Sequence, residues 1–395
     1  MAIKFSLRNF AQIHSAELDF GDLTVLVGPQ ATGKSLALQA LKFAVDRPGI
    51  AAKLKSGGYV WEHTREGLFS TFLGDGYEHS FHSEASISFK GKEILASGKR
   101  SSQRAPKVFY IPAQRVVTFS NGWPRRFDEY EHGDPFVVKE FSQEVFSLFG
   151  KGIGQRGSPI FPNPDRLKQA LRASIERSIF HGGKLLLQKY RSKRQLVLQY
   201  PPHSKLGDTQ LPFLEWSAGQ REFTPLLLGL YRLLPAGKIT KDTYYDWAVI
   251  EEPEMGLHPD GISTVMLLIF ELLFRGYRVV ISTHAPHVLD LVWAVQSLRQ
   301  SGSTKKERLL VRALGHPDSS SLRRIAGVVL KKKIRVYSFL FDENNKHVCK
   351  DISSLDPAST DKDIAGWGGL TGRSTEVARA VARSRPRLRL RSRAK

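Results

Sequence analysis

The sequence predicts an α/β fold in which buried strands alternate with helices around a glycine-rich turn. Three observations point there. A short apolar strand over residues 23–27 runs directly into Gly28-Pro29-Gln30-Ala31-Thr32-Gly33-Lys34-Ser35, and helical spacing follows. Two more apolar strands, 247–250 and 278–282, end in polar clusters and bracket an apolar helical stretch at 262–274. Uninterrupted apolar runs of this length belong to strands covered on both faces, as in a parallel sheet packed between helices.

Along the chain, Ile3, Phe5 and Leu7 alternate with polar residues, and residues 16–20 continue the alternation after a turn; both are half-buried strands. Residues 36–45 have helical spacing, and 59–95 read as strand-like and half-exposed. A polar, basic loop at 99–107 precedes a buried strand at 108–111, which ends in Pro112-Ala113-Gln114-Arg115. Between about 120 and 200 the character changes. Helical stretches at 136–149 and 165–180 are joined by a Gly/Pro-rich segment, 150–164, and paired strands follow at 185–200. No heptad pattern is sustained there, which argues against a long coiled-coil arm. From residue 211 the core resumes with a helix at 222–234, a strand at 247–250, a helix at 262–274 and a strand at 278–282. A hairpin over 334–341 and 347–352 turns on Asp342-Glu343-Asn344-Asn345, and 375–382 has the pattern of a short helix. The expected organisation is a first lobe (1–120), a helical and strand insertion or lid (121–204), a second lobe (205–300), a small α+β C-terminal extension (301–382) and a basic tail (383–395).

The 395 residues are 41% hydrophobic and 25% charged, with a formal net charge of +21. Six arginines and Lys395 follow residue 382; without those seven charges the rest still carries +14. Such a balance favours polyanionic partners, nucleic acid first; solubility together with an engineered or disordered tail is the other reading. Cys349 is the single cysteine, so no intramolecular disulfide can form, which fits a reducing compartment. The first residues lack the apolar run of a signal peptide. The stretch 262–274 is interrupted by Ser263, Thr264 and Glu271 and is too short to cross a bilayer. The expectation is a soluble cytoplasmic protein with no membrane partner.

The turn at 28–35 fits Gly-x-x-x-x-Gly-Lys-Ser without a mismatch. In such a P-loop the glycines let backbone N–H groups point at phosphates. Lys34 supplies a charge to the β and γ oxygens, and the Ser35 hydroxyl ligates Mg²⁺. ATP and Mg²⁺ are the expected cofactors. Trp247-Ala248-Val249-Ile250-Glu251-Glu252 is an apolar strand ending in two acids. Glu251 would hold the metal shell and Glu252 would polarise the attacking water, the Walker B arrangement. Val279-Val280-Ile281-Ser282-Thr283-His284 places a histidine at the end of the next buried strand, where it can contact the γ-phosphate. Ser217-Ala218-Gly219-Gln220 opens a helix; a serine and small residues there can bind a phosphate, although by themselves they are a common helix cap.

In this order the four elements resemble the ABC ATPase superfamily, in particular the branch that holds the RecF and SMC heads. Within it, Ile250-Glu251-Glu252-Pro253-Glu254, Leu257-His258-Pro259 and Ser282-Thr283-His284-Ala285-Pro286 resemble the ATPase part of overcoming-lysogenisation-defect proteins and the Septu-type PtuA defence ATPases. Leu7-Arg8-Asn9-Phe10 and Tyr110-Ile111-Pro112-Ala113-Gln114-Arg115 look similar too, so the resemblance covers about 1–120 and 205–295. It implies an ABC-type head with two packed lobes. It implies that Ser217, Gly219 and Gln220 belong to a signature motif facing ATP on a second protomer. Gln114 becomes the Q-loop glutamine near Mg²⁺, residues 255–258 the D-loop, and Arg8 and Asn9 neighbours of the nucleotide. Glu251 stands where most members have aspartate and Ala218 where glycine is usual, which points to slow hydrolysis.

The resemblance further implies a homodimer or higher homo-oligomer formed through ATP. It implies a role as sensor and regulator of a separately encoded effector, a nuclease, in prokaryotic anti-phage defence. Overcoming-lysogenisation-defect proteins carry their own Toprim nuclease; Asp361-Lys362-Asp363 has the spacing of its acid pair but no apolar strand before it. Two other classes stay open: a RecF-like repair ATPase binding DNA, and an ATP-stabilised assembly scaffold with little turnover. Basic stretches interleaved with aromatics, at 123–127 and 189–194, and the lysines at 331–333, read either as phosphate-backbone contacts or as solvated faces.

Overall fold

Strand alternation builds the centre of the molecule. In the strand over 23–27, Leu23, Val25 and Val27 face one hydrophobic core while Leu26 faces another. Ala248 and Ile250 join the first core, Trp247 and Val249 the second; Val279 and Ile281 join the first, Val280 the second. Successive side chains of a strand point to opposite faces, so a strand apolar at every position must be covered on both. The computed structural model describes residues 3–61, 64–77, 81–95, 106–190, 193–201, 209–235, 241–372, 376–378 and 380–381. The arginine-rich tail, most of the basic loop at 99–107 and part of the basic stretch 189–194 lie outside the described residues, as does part of 375–382, of which 376–378 and 380–381 are helical.

The chain begins with an antiparallel pair, β1 (Ile3–Phe10) and β2 (Ile13–Phe20), then β3 (Leu23–Val27) and α1 (Lys34–Ser56). The expected helix stopped at residue 45, ahead of Pro48; α1 instead runs through that proline, because Ile50 and Leu54 beyond it are buried in the core. Lys42 of α1 is fully buried. Its ammonium meets Asp46 at 2.8 Å, Glu140 at 2.7 Å and the Val108 carbonyl at 2.8 Å.

The stretch expected to be strand-like contains a helix, α2 (Arg65–Leu73), capped by Thr64, whose hydroxyl accepts from Gly67 N–H. Phe69 and Phe72 of α2 pack on Phe43 of α1, so tertiary contact decides the conformation there. Next come β4 (Phe81–Phe89), the short β5 (Lys92–Glu93) and β6 (Val108–Ile111).

Two short strands, β7 (Phe119–Ser120) and β8 (Trp123–Pro124), precede α3 (Phe136–Gly150) and α4 (Gln169–Ile175), whose continuation 176–180 is π-wound. A separate three-stranded sheet follows, made of β9 (Lys184–Tyr190), β10 (Lys193–Tyr200) and β11 (Thr209–Pro212). This middle region shares one hydrophobic core with the rest: Phe141, Phe161, Leu171, Phe180 and Leu196 cluster with Phe223, Leu226 and Ile250. It is packed onto the core rather than held away from it.

Then come α5 (Ala218–Leu233), β12 (Trp247–Glu251), α6 (Pro259–Phe274), β13 (Arg278–Ser282) and α7 (Pro286–Gln300). Proline at the first helical position starts both α6 and α7, where its missing N–H costs nothing. The last quarter holds α8 (Lys306–Ala313), α9 (Ser320–Val329), β14 (Ile334–Phe341), β15 (His347–Asp351) and α10 (Lys362–Ala365).

The main sheet has ten strands in the order β5-β4-β1-β2-β15-β14-β3-β13-β12-β6. From β14 to β6 it is parallel; β5, β4, β1 and β2 form an antiparallel wing. The hairpin β14–β15 sits between β3 and β2. β14 and β15, which lie in the stretch 301–382, are therefore strands of the main sheet. Asp361 and Asp363 both bind the Lys350 ammonium, at 2.7 Å each, and Asp361 caps α10. No described helix is long and apolar enough to cross a membrane.

Candidate active site

In an open parallel sheet, ligands sit beyond the carboxyl ends of the strands. Register brings four such ends together: Leu26 pairs with Ser282, Ser282 with Glu251, and Ile250 with Ile111. The turns leaving β3, β13, β12 and β6 are therefore neighbours.

The turn after β3 begins at Gly28 (φ 133) and closes at Gly33, the N-cap of α1. Pro29, Gln30, Ala31 and Ser35 are exposed, whereas Thr32 and Lys34 are buried. The Thr32 hydroxyl donates to the Pro29 carbonyl at 2.8 Å. The Lys34 ammonium reaches back along the turn to the carbonyls of Gly28 at 2.9 Å and Pro29 at 2.6 Å. The β1–β2 turn braces the loop from outside, Gln12 donating to the Ala31 carbonyl. Asn9 binds His14 and Glu84 instead, and Arg8 pairs with Glu17 on the surface.

Glu251 closes β12 with its side chain buried. The Tyr110 hydroxyl donates to Oε1 at 2.8 Å and the Ala113 N–H to Oε2 at 2.9 Å. Burial pushes this carboxyl above its ordinary range; the bonds from Ala113, Tyr110 and the Ser35 hydroxyl pull it back. Its hydrogen-bonding partners are thus neutral, with Ser35 at the mouth, and a hard divalent cation fits that oxygen-rich set. The buried Ser282 hydroxyl and one Glu254 carboxylate oxygen have no hydrogen-bond partner among the described residues, which also suits a polar ligand.

Glu252 steps off the strand at φ 41, a left-handed conformation that side chains disfavour. This aims its carboxylate at His284, 3.6 Å away. His284 is positioned by Glu254, which accepts from its N–H and from the Thr283 hydroxyl, both at 2.7 Å. Burial, together with the nearby Lys34 cation, holds the His284 imidazole below its ordinary range. Gln114 is exposed, one residue after the N–H that binds Glu251.

Ser217 stands apart. It caps α5 through a reciprocal pair with Gln220, its Oγ accepting at 3.3 Å and its N–H donating at 3.2 Å. The Gln220 amide also donates to the Ile179 carbonyl and to the Tyr200 hydroxyl, so it ties the cap to the middle region. Gly219 lies against the turn after the two acids: a Cβ there would come within 2.9 Å of the Gly256 carbonyl. Ser217 and Ala218 are left exposed. Lys34, Ser35, Glu251, Glu252 and His284 thus form one cluster, and Ser217 lies at the separate start of α5.

Sequence reasoning assigned no role to Tyr110, Glu254 or Arg115. Tyr110 and Arg115 flank Gln114 in a quoted motif, but their work is done through long-range contacts. Among the basic stretches, Arg125 stacks on Tyr130 and Arg126 pairs with Glu129, while Lys332 and Lys333 pair with Asp22 and Asp19.

Burial lowers the Lys34 pKa to about 8, against the pull of Glu252 and Glu254. The charged form attracts phosphate, so in the free protein that attraction is full below about 8 and fades as pH rises through it. We expect kcat/KM for ATP to be flat up to about pH 8 and then to fall toward tenfold per unit. Bound phosphate raises the pKa again, so kcat stays flat over the same range. Initial rates from about pH 6.5 to about pH 9.5 check this; a flat kcat/KM throughout would refute it.

Residues 113–290 match the family model described as "AAA domain, putative AbiEii toxin, Type IV TA system". No curated protein matches the chain. Solved structures to which it is similar include an SMC head bound to the C-winged helix domain of ScpA, with TM-score 0.39 and 14% identity, covering 72% of this chain and 90% of that one. Another is the SMC head domain from Thermotoga maritima, with TM-score 0.33 and 11% identity over 89% of this chain and 98% of that one. A third is the Smc head domain with an extended coiled coil bound to the C-terminal domain of ScpA, derived from Pyrococcus furiosus, with TM-score 0.36 and 14% identity over 73% of this chain and 90% of that one. The stretch matched by the AAA-domain family contains Gln114, Ser217, Glu251, Glu252 and His284, and the loop at 28–35 precedes it.

Proposed function

We propose that this chain binds and hydrolyses ATP at the cluster of Lys34, Ser35, Glu251, Glu252 and His284, and that two copies complete each site. The observation that carries the reading is the meeting of a phosphate-binding turn, a buried metal-ready carboxylate and a carboxylate–histidine pair at one sheet edge, with Ser217 exposed elsewhere. The backbone N–H groups of 28–35 and the Lys34 ammonium would hold the phosphates. Ser35 and Glu251 would hold Mg²⁺, with Gln114 beside them; the ion's contribution is to neutralise phosphate charge. Glu252 accepts the proton of the water that attacks the γ-phosphorus. The bond to the β–γ bridging oxygen breaks, and ADP and phosphate leave. His284, held by Glu254, orients the γ-phosphate oxygens. Ser217 and the N–H groups that open α5 would close the γ-phosphate from the second copy, where a helix N-terminus favours negative charge. ATP then becomes part of the interface, and its hydrolysis shifts the dimer equilibrium.

The test is light-scattering mass with and without Mg-ATP. Glu252→Gln is expected to double in mass only with Mg-ATP, while Lys34→Ala stays at its starting mass. Equal masses in all samples would reject the shared site.

The biological role we propose is an ATP-dependent switch in prokaryotic anti-phage defence that controls a separate effector, a nuclease. Support comes from the motifs at 250–259 and 282–286 and from the family description that names a toxin. Protection of cells by this chain alone would rule out the two-component form. A second reading, a DNA-maintenance ATPase, is favoured by the net charge of +21, and predicts duplex binding that weakens steeply with salt.

A further inference from the structure

Arg115 is fully buried and surrounded by backbone rather than by an acid alone. Its Nη1 donates to the carbonyls of Glu251 at 3.0 Å and Pro112 at 3.5 Å, and Nη2 to that of Glu252 at 3.0 Å. Its Nε donates to the Glu222 carbonyl at 3.0 Å, with the Glu222 carboxylate 3.6 Å away. One guanidinium therefore gathers three segments: the turn that leaves β6 and carries Gln114, the two acids that end β12, and the second turn of α5.

A guanidinium is tolerated inside a protein only when its fork of donors is met, so its position follows those carbonyls closely. The contacts around it leave little slack. A Cβ on Gly256 would come within 3.3 Å of Glu222 Cγ, and the first turn of α5 touches the Gly256 carbonyl through Gly219. Glu252 keeps its left-handed backbone while its carbonyl is held by Arg115.

We propose that Arg115 is a positioning residue that joins the two halves of the shared site. It holds Glu252 in the conformation that faces His284. It also converts movement of the 112–115 and 251–252 backbone into displacement of α5. Nucleotide held by one copy thereby sets how Ser217 is offered to the other. This rests on the reading that two copies share each ATP.

The test uses the full chain in the Glu252→Gln background. Arg115→Met keeps the volume and removes the donors; Arg115→Lys keeps the charge but not the fork. Affinity for a fluorescent ATP analogue reports the fold and the P-loop, and light scattering against protein concentration reports the dimer. Arg115→Met should bind nucleotide within about threefold of the parent yet need at least about tenfold more protein to dimerise, with Arg115→Lys between. Arg115→Met that binds nucleotide and dimerises like the parent would overturn the proposal. Should Arg115→Met lose nucleotide binding altogether through misfolding, Arg115→Lys decides: weakened dimerisation at parental nucleotide affinity supports the link, and unchanged dimerisation refutes it. A parent that never changes mass refutes the shared site itself, and with it the α5 half of this proposal. The remaining half is then read from kcat of Arg115→Lys with Glu252 intact, where a fall in kcat at constant KM is expected and an unchanged kcat refutes it.

Discussion

Glu252→Gln is expected to lower ATP turnover by about 10³-fold, a barrier increase of about 4 kcal/mol, while leaving ATP affinity nearly unchanged. The carboxylate is aimed by backbone, not by its own hydrogen bonds: φ 41 turns it off the strand, and its peptide is fixed by the Ser282 carbonyl on one side and Arg115 on the other. Glutamine keeps that geometry and removes the proton acceptor. Of the two neighbouring carboxylates, Glu254 commits Oε1 to Thr283 and His284, and Glu251 is enclosed by Tyr110 and Ala113. Phosphate release at saturating ATP measures the effect. A loss below about tenfold would show that Glu252 is not the base.

The elements that converge on this site were legible because each is written locally. A strand, a glycine turn and a helix start occupy consecutive residues, as do a strand and its terminal acids. Other features depend on partners far away in sequence. The turn after β6 was read as a motif, but the Tyr110 and Ala113 bonds to Glu251 span about 140 residues. Arg115 binds carbonyls, and a carbonyl leaves no mark on sequence. Residues 65–73 are helical against their strand-like pattern because Phe69 and Phe72 pack on Phe43, and α1 passes Pro48 because Ile50 and Leu54 beyond it are buried. The hairpin β14–β15 was visible as a hairpin, yet its insertion between β3 and β2 joins residues more than 300 apart. Periodicity shows that a strand exists and which faces it buries; it does not show its neighbours.

That insertion has a consequence for the glycine-rich turn at 28–35. β14 runs parallel to β3, with Val27 opposite Ser338, so Gly28 emerges beside the backbone of Phe339. A Cβ on Gly28 would lie 2.0 Å from the Phe339 carbonyl oxygen, and its φ of 133 is one that other residues rarely adopt. The obstruction is a sheet strand, which cannot swing aside as a side chain would. Gly28→Ala is therefore expected to cost about 3–5 kcal/mol, from overlap and strain together. Gly58 separates the two contributions: its φ is 80, but nothing lies within 4 Å of its Cβ position. Gly58→Ala should cost only the strain, about 1–2 kcal/mol. Thermal melts should place Gly28→Ala about 4–6 °C below the parent and Gly58→Ala much closer to it. ATP binding should be lost only in Gly28→Ala, because relief of the overlap displaces the carbonyls that hold Lys34. Equal melting temperatures for the two variants would mean that the turn yields without β14, and that the last quarter of the chain does not shape the phosphate site.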